Sequence, residues 1–191
     1  MKQVSDDETA LILSLAEKNL GERGDFVEFG CFEGDTSILL AELLKSQKSD
    51  KKLWIYDSFE GLPEKSAQDF SVIGEDFKKG ELFVTKRDVK TRFLRANLPL
   101  PQIKKAWFDE LSADDLPEKI GFAFLDGDLY ESIKTSFSLV IPRLEKRGII
   151  VVHDYSNPAL PGVEKAVAEF LKKNPDFSLK TMYGLAILTR D

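Results

Sequence analysis

Cysteine, histidine and long apolar runs are scarce in this sequence of 191 residues. The single cysteine, Cys31, excludes an intrachain disulfide and a multi-cysteine zinc site, and it favours the reducing environment of the cytoplasm. Apolar runs such as Ile149–Val152 are far too short to cross a membrane. The 33 acidic residues outnumber the 27 basic ones and give a net charge of −6, which disfavours contact with nucleic-acid phosphates. We therefore expect a chain that binds neither membranes nor nucleic acids.

The N-terminal segment predicts a helix and not a secretion signal. Acidic residues precede its first apolar stretch, where a signal peptide carries basic ones. Ser5 and Glu8 stand three residues apart, the spacing of a capping box, and Gly21 is a natural helix stop. We therefore predict a helix from about Asp6 to Leu20, within an N-terminal segment of residues 1–22.

The apolar pattern of the rest of the chain alternates between the period of strands and that of helices. Five short runs are predicted strands: Asp25–Gly30, Leu53–Asp57, Ile103–Phe108, Ile120–Asp126 and Gly148–His153. Four patterns are predicted helices: Thr36–Lys45, Thr85–Leu94, Leu129–Leu144 and Pro161–Lys172. Pro142 is expected to bend the last turn of the third helix. Such alternation is typical of a parallel sheet whose right-handed crossover helices cover both faces.

The C-terminal pattern predicts an antiparallel hairpin. Two apolar runs, Phe177–Met182 and Leu185–Thr189, flank a Tyr-Gly turn. With this hairpin, the prediction is an α/β fold with a seven-stranded, mostly parallel sheet. The length fits one domain over residues 1–191, in which the weakly patterned segment 60–80 is a predicted lid or acceptor wall.

A glycine loop follows the first predicted strand. Gly30 and Gly34 allow a tight turn and close approach to a ligand, and a residue of the Asp35–Ser37 run is expected to cap the next helix. The spacing is G-x-x-x-G and not the G-x-G-x-x-G of dinucleotide sites, and an acid, Glu28, precedes the turn. The loop therefore favours a cationic or hydroxylated ligand over a phosphate, with a plain strand–turn–helix junction as the alternative.

Two further strand ends carry candidate binding residues. Asp57 ends the second predicted strand, where a carboxylate accepts hydrogen bonds from ribose hydroxyls in nucleotide-binding sheets. Its alternative is an ordinary turn aspartate. Trp107 and Phe108 end the third predicted strand and offer aromatic faces to a flat heterocycle, with core packing as the alternative.

Ionisable residues follow the fourth and fifth predicted strands. Asp126-Gly127-Asp128 ends one strand, and His153 with Asp154 ends the next. Because the carboxyl ends of adjacent parallel strands lie at one edge of the sheet, these groups are expected to converge. Neighbouring carboxylates repel each other unless they share a proton or a cation, so the pattern favours a divalent metal site over two loop caps.

Seven runs together resemble the TylF/macrocin O-methyltransferase family, over about residues 24–172. In chain order they are VEFGCFEGDTS, WIYDSFEGLPE, GELFVTKRDVKTRF, AWFDEL, FAFLDGDLYESIKTS, GIIVVHDY and PGVEKAVAEF. The resemblance implies a Rossmann-like class I fold that binds S-adenosylmethionine (SAM). It also implies methyl transfer to a hydroxyl of a small molecule, often a sugar of an antibiotic, with the help of a divalent metal.

The resemblance assigns roles to individual positions. The cofactor-binding residues it implies are Glu28, Gly30, Cys31, Gly34, Thr36, Ser37, Asp57, Ser58, Phe59, Trp107, Phe108 and Asp126. The metal ligands it implies are Asp126, His153 and Asp154, and Asp126 is also expected to take the proton of the acceptor hydroxyl. The site is also similar to that of catechol-type O-methyltransferases, but Leu129 stands where those enzymes have a catalytic lysine.

One position departs from the family pattern. Family members commonly have D-D-Y where this chain has His153-Asp154-Tyr155. An imidazole in place of a carboxylate shifts the expected preference from Mg²⁺ toward Mn²⁺ or another transition metal. If the site works without a metal, His153 is the expected general base.

Two alternatives to an O-methyltransferase stay open at this point. One is a SAM-binding protein without methyl transfer, and the other, less favoured, is a Rossmann-type NAD(P)-dependent oxidoreductase. The expected partner is a small hydroxylated molecule. The resemblance also allows a homodimer.

Overall fold

A seven-stranded sheet forms the centre of the fold. The computed structural model describes residues 3–75 and 77–190. The strands are β1 (Asp25–Phe29), β2 (Leu53–Asp57), β3 (Gln102–Lys105), β4 (Ile120–Leu125), β5 (Leu144–Val152), β6 (Phe177–Met182) and β7 (Leu185–Arg190). Their order across the sheet is β3-β2-β1-β4-β5-β7-β6, and every neighbouring pair is parallel except the two that β7 makes. The predicted mostly parallel sheet with a C-terminal hairpin is confirmed.

Five helices cover both faces of this sheet. They are α1 (Asp6–Lys18), α2 (Asp35–Ser46), α3 (Lys86–Arg95), α4 (Tyr130–Val140) and α5 (Pro161–Lys173). Successive strand residues point to opposite faces, so Phe122 and Phe124 pack with α1, α2 and α3, whereas Ala123 and Leu125 pack with α4 and α5. Every residue of β4 is buried, as a central parallel strand requires.

Two predicted details of the helices are wrong. The N-cap of α2 is Gly34, with a φ of +82° and no side-chain capping bond, so no residue of Asp35–Ser37 serves as the cap. Helix α4 ends at Val140 because Pro142 cannot continue it, and a 3₁₀ turn over Ile141–Arg143 follows. Leu144, predicted as the end of this helix, is instead the first residue of β5.

Two other elements end earlier than predicted. Helix α1 ends at Lys18 with Asn19 as its C-cap, before the expected glycine stop. Strand β3 ends at Lys105, so Trp107 and Phe108 lie beyond the strand, at a 3₁₀ turn over Phe108–Glu110. No helix within the described residues is long and apolar enough to span a membrane.

Candidate functional site

Backbone hydrogen bonds align the ends of the central strands. Asp126 N–H donates to the Phe29 carbonyl at 2.8 Å, and His153 N–H donates to the Leu125 carbonyl at 2.9 Å. The first residues after β1, β4 and β5 therefore lie side by side. A Cβ at Gly30 would overlap the carbonyl oxygen of Asp126, and its φ is +86°, so only glycine fits this junction.

Left-handed backbone marks the loop after each of four parallel strands. Phe32, Phe59, Asp128 and Asp154 follow β1, β2, β4 and β5, and their φ values are 44°, 51°, 59° and 56°. Residues with a side chain rarely adopt this conformation, and such strain concentrates at functional sites. The carboxyl edge of the sheet is therefore the candidate site.

A cavity of about 330 Å³ opens at this edge. A smaller cavity of about 30 Å³ adjoins it, and the two share Gln3, Phe32 and Asp126 as lining residues. His153 is the one basic side chain that lines the larger cavity among the residues the structure describes, and every other charged lining group is an acid. The site therefore presents a negative surface to a ligand.

The cavities gather most of the residues predicted from the sequence. The larger one is lined by Gly30, Asp57, Ser58, Trp107, Phe108, Asp126, His153 and Asp154. The smaller one is lined by Glu28, Cys31, Thr36 and Asp126. Neither lining includes Gly34, Ser37 or Phe59.

Asp57 ties the loops after β1 and β2 together. Its Oδ2 accepts hydrogen bonds from the N–H groups of Cys31 at 2.8 Å and Phe32 at 3.4 Å. Its Oδ1 accepts from Phe59 N–H at 2.7 Å. Oδ1 keeps a second lone pair, so the group can still accept a hydrogen bond from a hydroxyl in the cavity.

Phe108 both packs in the core and lines the cavity, the two roles that its sequence position allows. Its ring packs edge-on against Phe29, with centroids 5.3 Å apart, and it also lines the cavity beside Trp107. The aromatic wall is thus fixed by the core beneath it.

Glu28 is a buried acid on the sheet face that carries α2. The residue is 1% exposed, and its Oε2 accepts a hydrogen bond from the Ser37 hydroxyl. Burial raises the pKa of this carboxyl to about 8, and the charges of Asp126 and Asp57 add to the shift. At neutral pH Glu28 is therefore mostly protonated, and it contributes to the lining of the smaller cavity.

His153 lies among three carboxylates. Its Nδ1 is 2.8 Å from Asp126 Oδ1 and 3.0 Å from Asp154 Oδ2, and its Nε2 is 3.4 Å from Glu8 Oε1. Burial by itself lowers the pKa of the imidazole, but the three carboxylates outweigh it and raise the pKa well above its usual range. A protonated His153 therefore balances part of the negative charge at this edge.

The same cluster fits a divalent metal. One ligand atom each from Asp126, His153 and Asp154 lies within 4.8 Å of the others. The buried Nδ1 is close to both aspartates but makes no hydrogen bond with the described residues, because its N–H direction aligns with neither oxygen. One imidazole nitrogen with two carboxylates is a donor set suited to Mn²⁺ and other borderline cations.

Asp128 and Glu8 belong to this site but were not among the predicted site residues. Asp128 lines the cavity, and burial together with the charges of Asp126 and Asp154 raises the pKa of its carboxyl well above the usual range. The D-G-D spacing was a usable signal for Asp128. Only the packing of α1 brings Glu8 to His153.

The segment predicted as a lid or acceptor wall, of which residues 60–75 and 77–80 are described, contributes to the cavity lining. Leu62 N–H donates to the Glu81 carbonyl at 2.8 Å and closes its base. Asp69, 1% exposed, accepts from Ser66 N–H at 2.9 Å and from Tyr130 N–H, at the start of α4, at 2.7 Å. The loop is thus anchored to the sheet's second helical face, and its Gly61–Glu64 stretch lines the cavity.

Sequence comparison identifies the family. The sequence profile of the macrocin-O-methyltransferase (TylF) family matches residues 12–178. The chain belongs to this family. A Streptomyces olivaceus relative, 8-demethyl-8-(2,3-dimethoxy-alpha-L-rhamnosyl)-tetracenomycin-C 4'-O-methyltransferase, is 32% identical over 142 residues, which cover 71% of this chain and 54% of that protein. The chain spans 54%, 59% and 61% of the lengths of three curated TylF-like relatives.

Solved structures of O-methyltransferases share the fold of this TylF-family chain. The structure of the O-methyltransferase NovP matches it with a TM-score of 0.82 and 25% identity, covering 95% of this chain and 78% of that one. A Bacillus cereus O-methyltransferase in complex with S-adenosylhomocysteine (SAH) matches with a TM-score of 0.70 and 14% identity, covering 99% and 83%. The expected Rossmann-like class I fold is confirmed.

Proposed function

We propose that this TylF-family chain is a SAM-dependent O-methyltransferase acting on a hydroxyl of a small molecule of the sugar or natural-product type. The observation that carries the proposal is the cavity itself. Asp57 and the aromatic pair line it from the ends of β2 and β3, and the Asp126, His153 and Asp154 cluster lines it from the ends of β4 and β5, on the other side of β1. Such a cavity can hold a nucleoside beside a hydroxyl-activating group.

The β1 and β2 side of the cavity is assigned to the cofactor. Asp57 would accept the ribose hydroxyls, with Ser58 and Phe59 beside it, and Trp107 with Phe108 would border the adenine. The methionine end would lie over the glycine loop, in a group comprising Glu28, Gly30, Cys31, Gly34, Thr36 and Ser37. The shared lining of the two cavities supports a continuous path for an extended ligand.

The β4 and β5 side is assigned to the chemistry. Asp126, His153 and Asp154 would hold a divalent cation, Mn²⁺ in preference to Mg²⁺, and such a cation would supply Lewis-acid chemistry that lowers the pKa of the acceptor hydroxyl. Asp126 would accept the hydroxyl proton. If the enzyme works without a metal, His153 is the assigned base, a role that requires its neutral form and therefore competes with the three carboxylates that favour the protonated ring.

The protein's other contribution is alignment. Methyl transfer from a sulfonium needs the acceptor oxygen, the methyl carbon and the sulfur in line, with water excluded. Gly61–Glu64 and Asp69 of the 60–80 segment would supply one wall, and α4 would supply another through Glu131, Ser132 and Thr135. Because the charged lining groups other than His153 are acids, we propose an uncharged or cationic acceptor and not a phosphorylated one.

The first test is calorimetric titration with SAH in EDTA, in Mg²⁺ and in Mn²⁺, with NAD⁺ as the control ligand. The proposal expects SAH binding, no NAD⁺ binding, and a separate heat from Mn²⁺ alone. Binding of NAD⁺ but not SAH would favour an oxidoreductase and overturn the proposal. Tight SAH binding without turnover on a broad acceptor panel would indicate a binding protein. Light scattering of the same samples tests for the homodimer that the resemblance allows.

A further inference from the structure

Helix α1 carries a mostly buried acidic residue, Glu8, on the same side as its buried apolar residues. Glu8, Ile12 and Ala16 are spaced four residues apart and so share one side of the helix. Ile12 and Ala16 are fully buried against the sheet, and the Glu8 side chain is 15% exposed. The buried side of α1 therefore ends in a carboxylate at the carboxyl edge of the sheet.

Each oxygen of this carboxylate has a separate contact. Oε2 accepts a hydrogen bond from Ser5 N–H at 2.7 Å, and the Ser5 hydroxyl accepts from Glu8 N–H at 3.3 Å, which completes the predicted capping box. Oε1 lies 3.4 Å from His153 Nε2. The backbone N–H of Ser5 thus holds one carboxylate oxygen while the other faces the imidazole.

The imidazole is approached from two sides. Glu8 lies at Nε2, whereas Asp126 and Asp154 lie at Nδ1. In metalloproteins a ligating histidine generally donates its other N–H to a carboxylate, which fixes the ring and its tautomer. Because Nε2 faces Glu8, Nδ1 is the nitrogen on the side of the two aspartates, where it can bind a cation in exchange for its proton.

We propose that Glu8 is a positioning residue that holds His153 with Nδ1 directed at the metal site, so that helix α1 forms part of that site. The inference rests on the metal-assisted methyltransferase proposed above. It adds Glu8 as a fourth residue to the site formed by Asp126, His153 and Asp154. It also gives a physical reason for a histidine at this place, since the aspartate of the common D-D-Y pattern offers no N–H to Glu8.

The test compares three single variants with the wild type. Glu8→Gln keeps one oxygen, which cannot accept from both Ser5 N–H and His153 Nε2–H. Ser5→Ala weakens the helix cap but leaves the carboxylate in place. Asp7→Asn removes one negative charge from the same exposed helical turn. Thermal unfolding followed by circular dichroism establishes that each variant is folded.

The readouts are Mn²⁺ affinity, by electron paramagnetic resonance of the free ion, and ¹⁵N NMR of the imidazole during a Zn²⁺ titration. His153 is the only histidine in the chain, so its resonances need no assignment. We expect Glu8→Gln to weaken Mn²⁺ binding by about 10- to 100-fold, the usual effect of losing such a partner. We also expect Zn²⁺ to shift Nδ1 while Nε2 keeps its proton in the wild type, and Ser5→Ala and Asp7→Asn to behave as the wild type does.

Two results would overturn the inference. One is a Glu8→Gln variant that binds Mn²⁺ as tightly as Asp7→Asn with the same Nδ1 shift. The other is a wild-type Nδ1 that does not respond to Zn²⁺. SAH titration of the same samples keeps the two proposals apart, because intact SAH binding with either result leaves the methyltransferase proposal standing. Loss of SAH binding in the wild type would instead reject that proposal.

Discussion

The two halves of the carboxyl edge keep their carboxylates in place by different means. On the β1 and β2 side, Asp57 accepts hydrogen bonds from three backbone N–H groups, and Glu28 accepts one from the Ser37 hydroxyl. After β4 and β5, Asp126 and Asp154 instead face one imidazole nitrogen that bonds to neither, although Asp154 Oδ1 also accepts from the Asn157 side-chain N–H at 2.8 Å. The first half is organised by hydrogen bonds, and the second mainly by charge.

This difference matches the two proposed roles, which are cofactor binding in the first half and hydroxyl activation in the second. A carboxylate held by backbone donors keeps its position whatever its ligand, which suits a subsite for a constant cofactor. A cluster held by charge balance changes when a cation or proton arrives, which suits the place where a hydroxyl is activated. Variants should therefore affect the two halves differently.

The largest effect is expected from Asp126→Asn in the charged half. The change removes an assigned cation ligand and the assigned proton acceptor while keeping the side-chain shape, so turnover on an identified acceptor should fall by roughly 10²- to 10⁴-fold. Initial rates with saturating SAM measure the effect. Asp114→Asn, an exposed aspartate outside the cavity, is the matched control. Unchanged turnover in Asp126→Asn would remove this residue from the mechanism.

Glu28 makes stability depend on pH in the hydrogen-bonded half. Its carboxyl titrates near 4.5 when unfolded and near 8 when folded, so unfolding releases a proton between these values. Raising the pH through that window should lower the free energy of unfolding by a few kcal/mol in the wild type.

Glu28→Gln should lack this component, because its amide does not titrate yet still accepts from Ser37. Denaturant unfolding in EDTA at several pH values checks the prediction, with the exposed Glu42→Gln on α2 as the control. Parallel pH profiles for the wild type and Glu28→Gln would show that the carboxyl is not buried in its neutral form.

Asp57→Ala should destabilise the β1 and β2 half of the site and leave the β4 and β5 half unchanged. Three backbone N–H groups lose their acceptor, which costs about 1–3 kcal/mol of unfolding free energy. SAH affinity should fall while Mn²⁺ affinity is unchanged, as calorimetry with each ligand would reveal. Asp57→Asn, which keeps one oxygen, should have a stability and an SAH affinity between those of the wild type and Asp57→Ala. A fall in Mn²⁺ affinity would contradict the independence of the two halves.

The smallest effect is expected from Ser5→Ala. Loss of the α1 cap should cost about 1 kcal/mol of unfolding free energy, typical of an N-cap replacement. Thermal or denaturant unfolding measures it, and Ser5→Thr, which retains a hydroxyl, should recover most of the loss. An unchanged stability would mean that Ser5 contributes nothing to the cap.

Much of the fold followed from the sequence because it depends on local patterns. The buried run of β4, the capping box of α1 and the Tyr-Gly hairpin each combine a periodicity with a turn or cap signal. The errors arose where two elements meet. Gly34 caps α2 through its backbone conformation and not through a side chain.

The candidate site was predictable in part for the same reason. Parallel strands place their carboxyl ends together, so Asp57, Asp126 and His153 could be assigned to one edge from their positions alone. The raised pKa of Glu28 could not be anticipated, because it depends on how completely the packed fold buries the carboxyl, an effect that the Ser37 hydrogen bond only partly offsets.

The sequence by itself determined the order of strands and helices, the acidic character of the site and the family to which the chain belongs. Only the tertiary structure decided which side chains meet at the site. Glu8 and His153 are 145 positions apart in the sequence yet face each other across 3.4 Å. The reason is physical: local patterns fix periodicity and caps, whereas the docking of α1 depends on how its buried face fits the sheet.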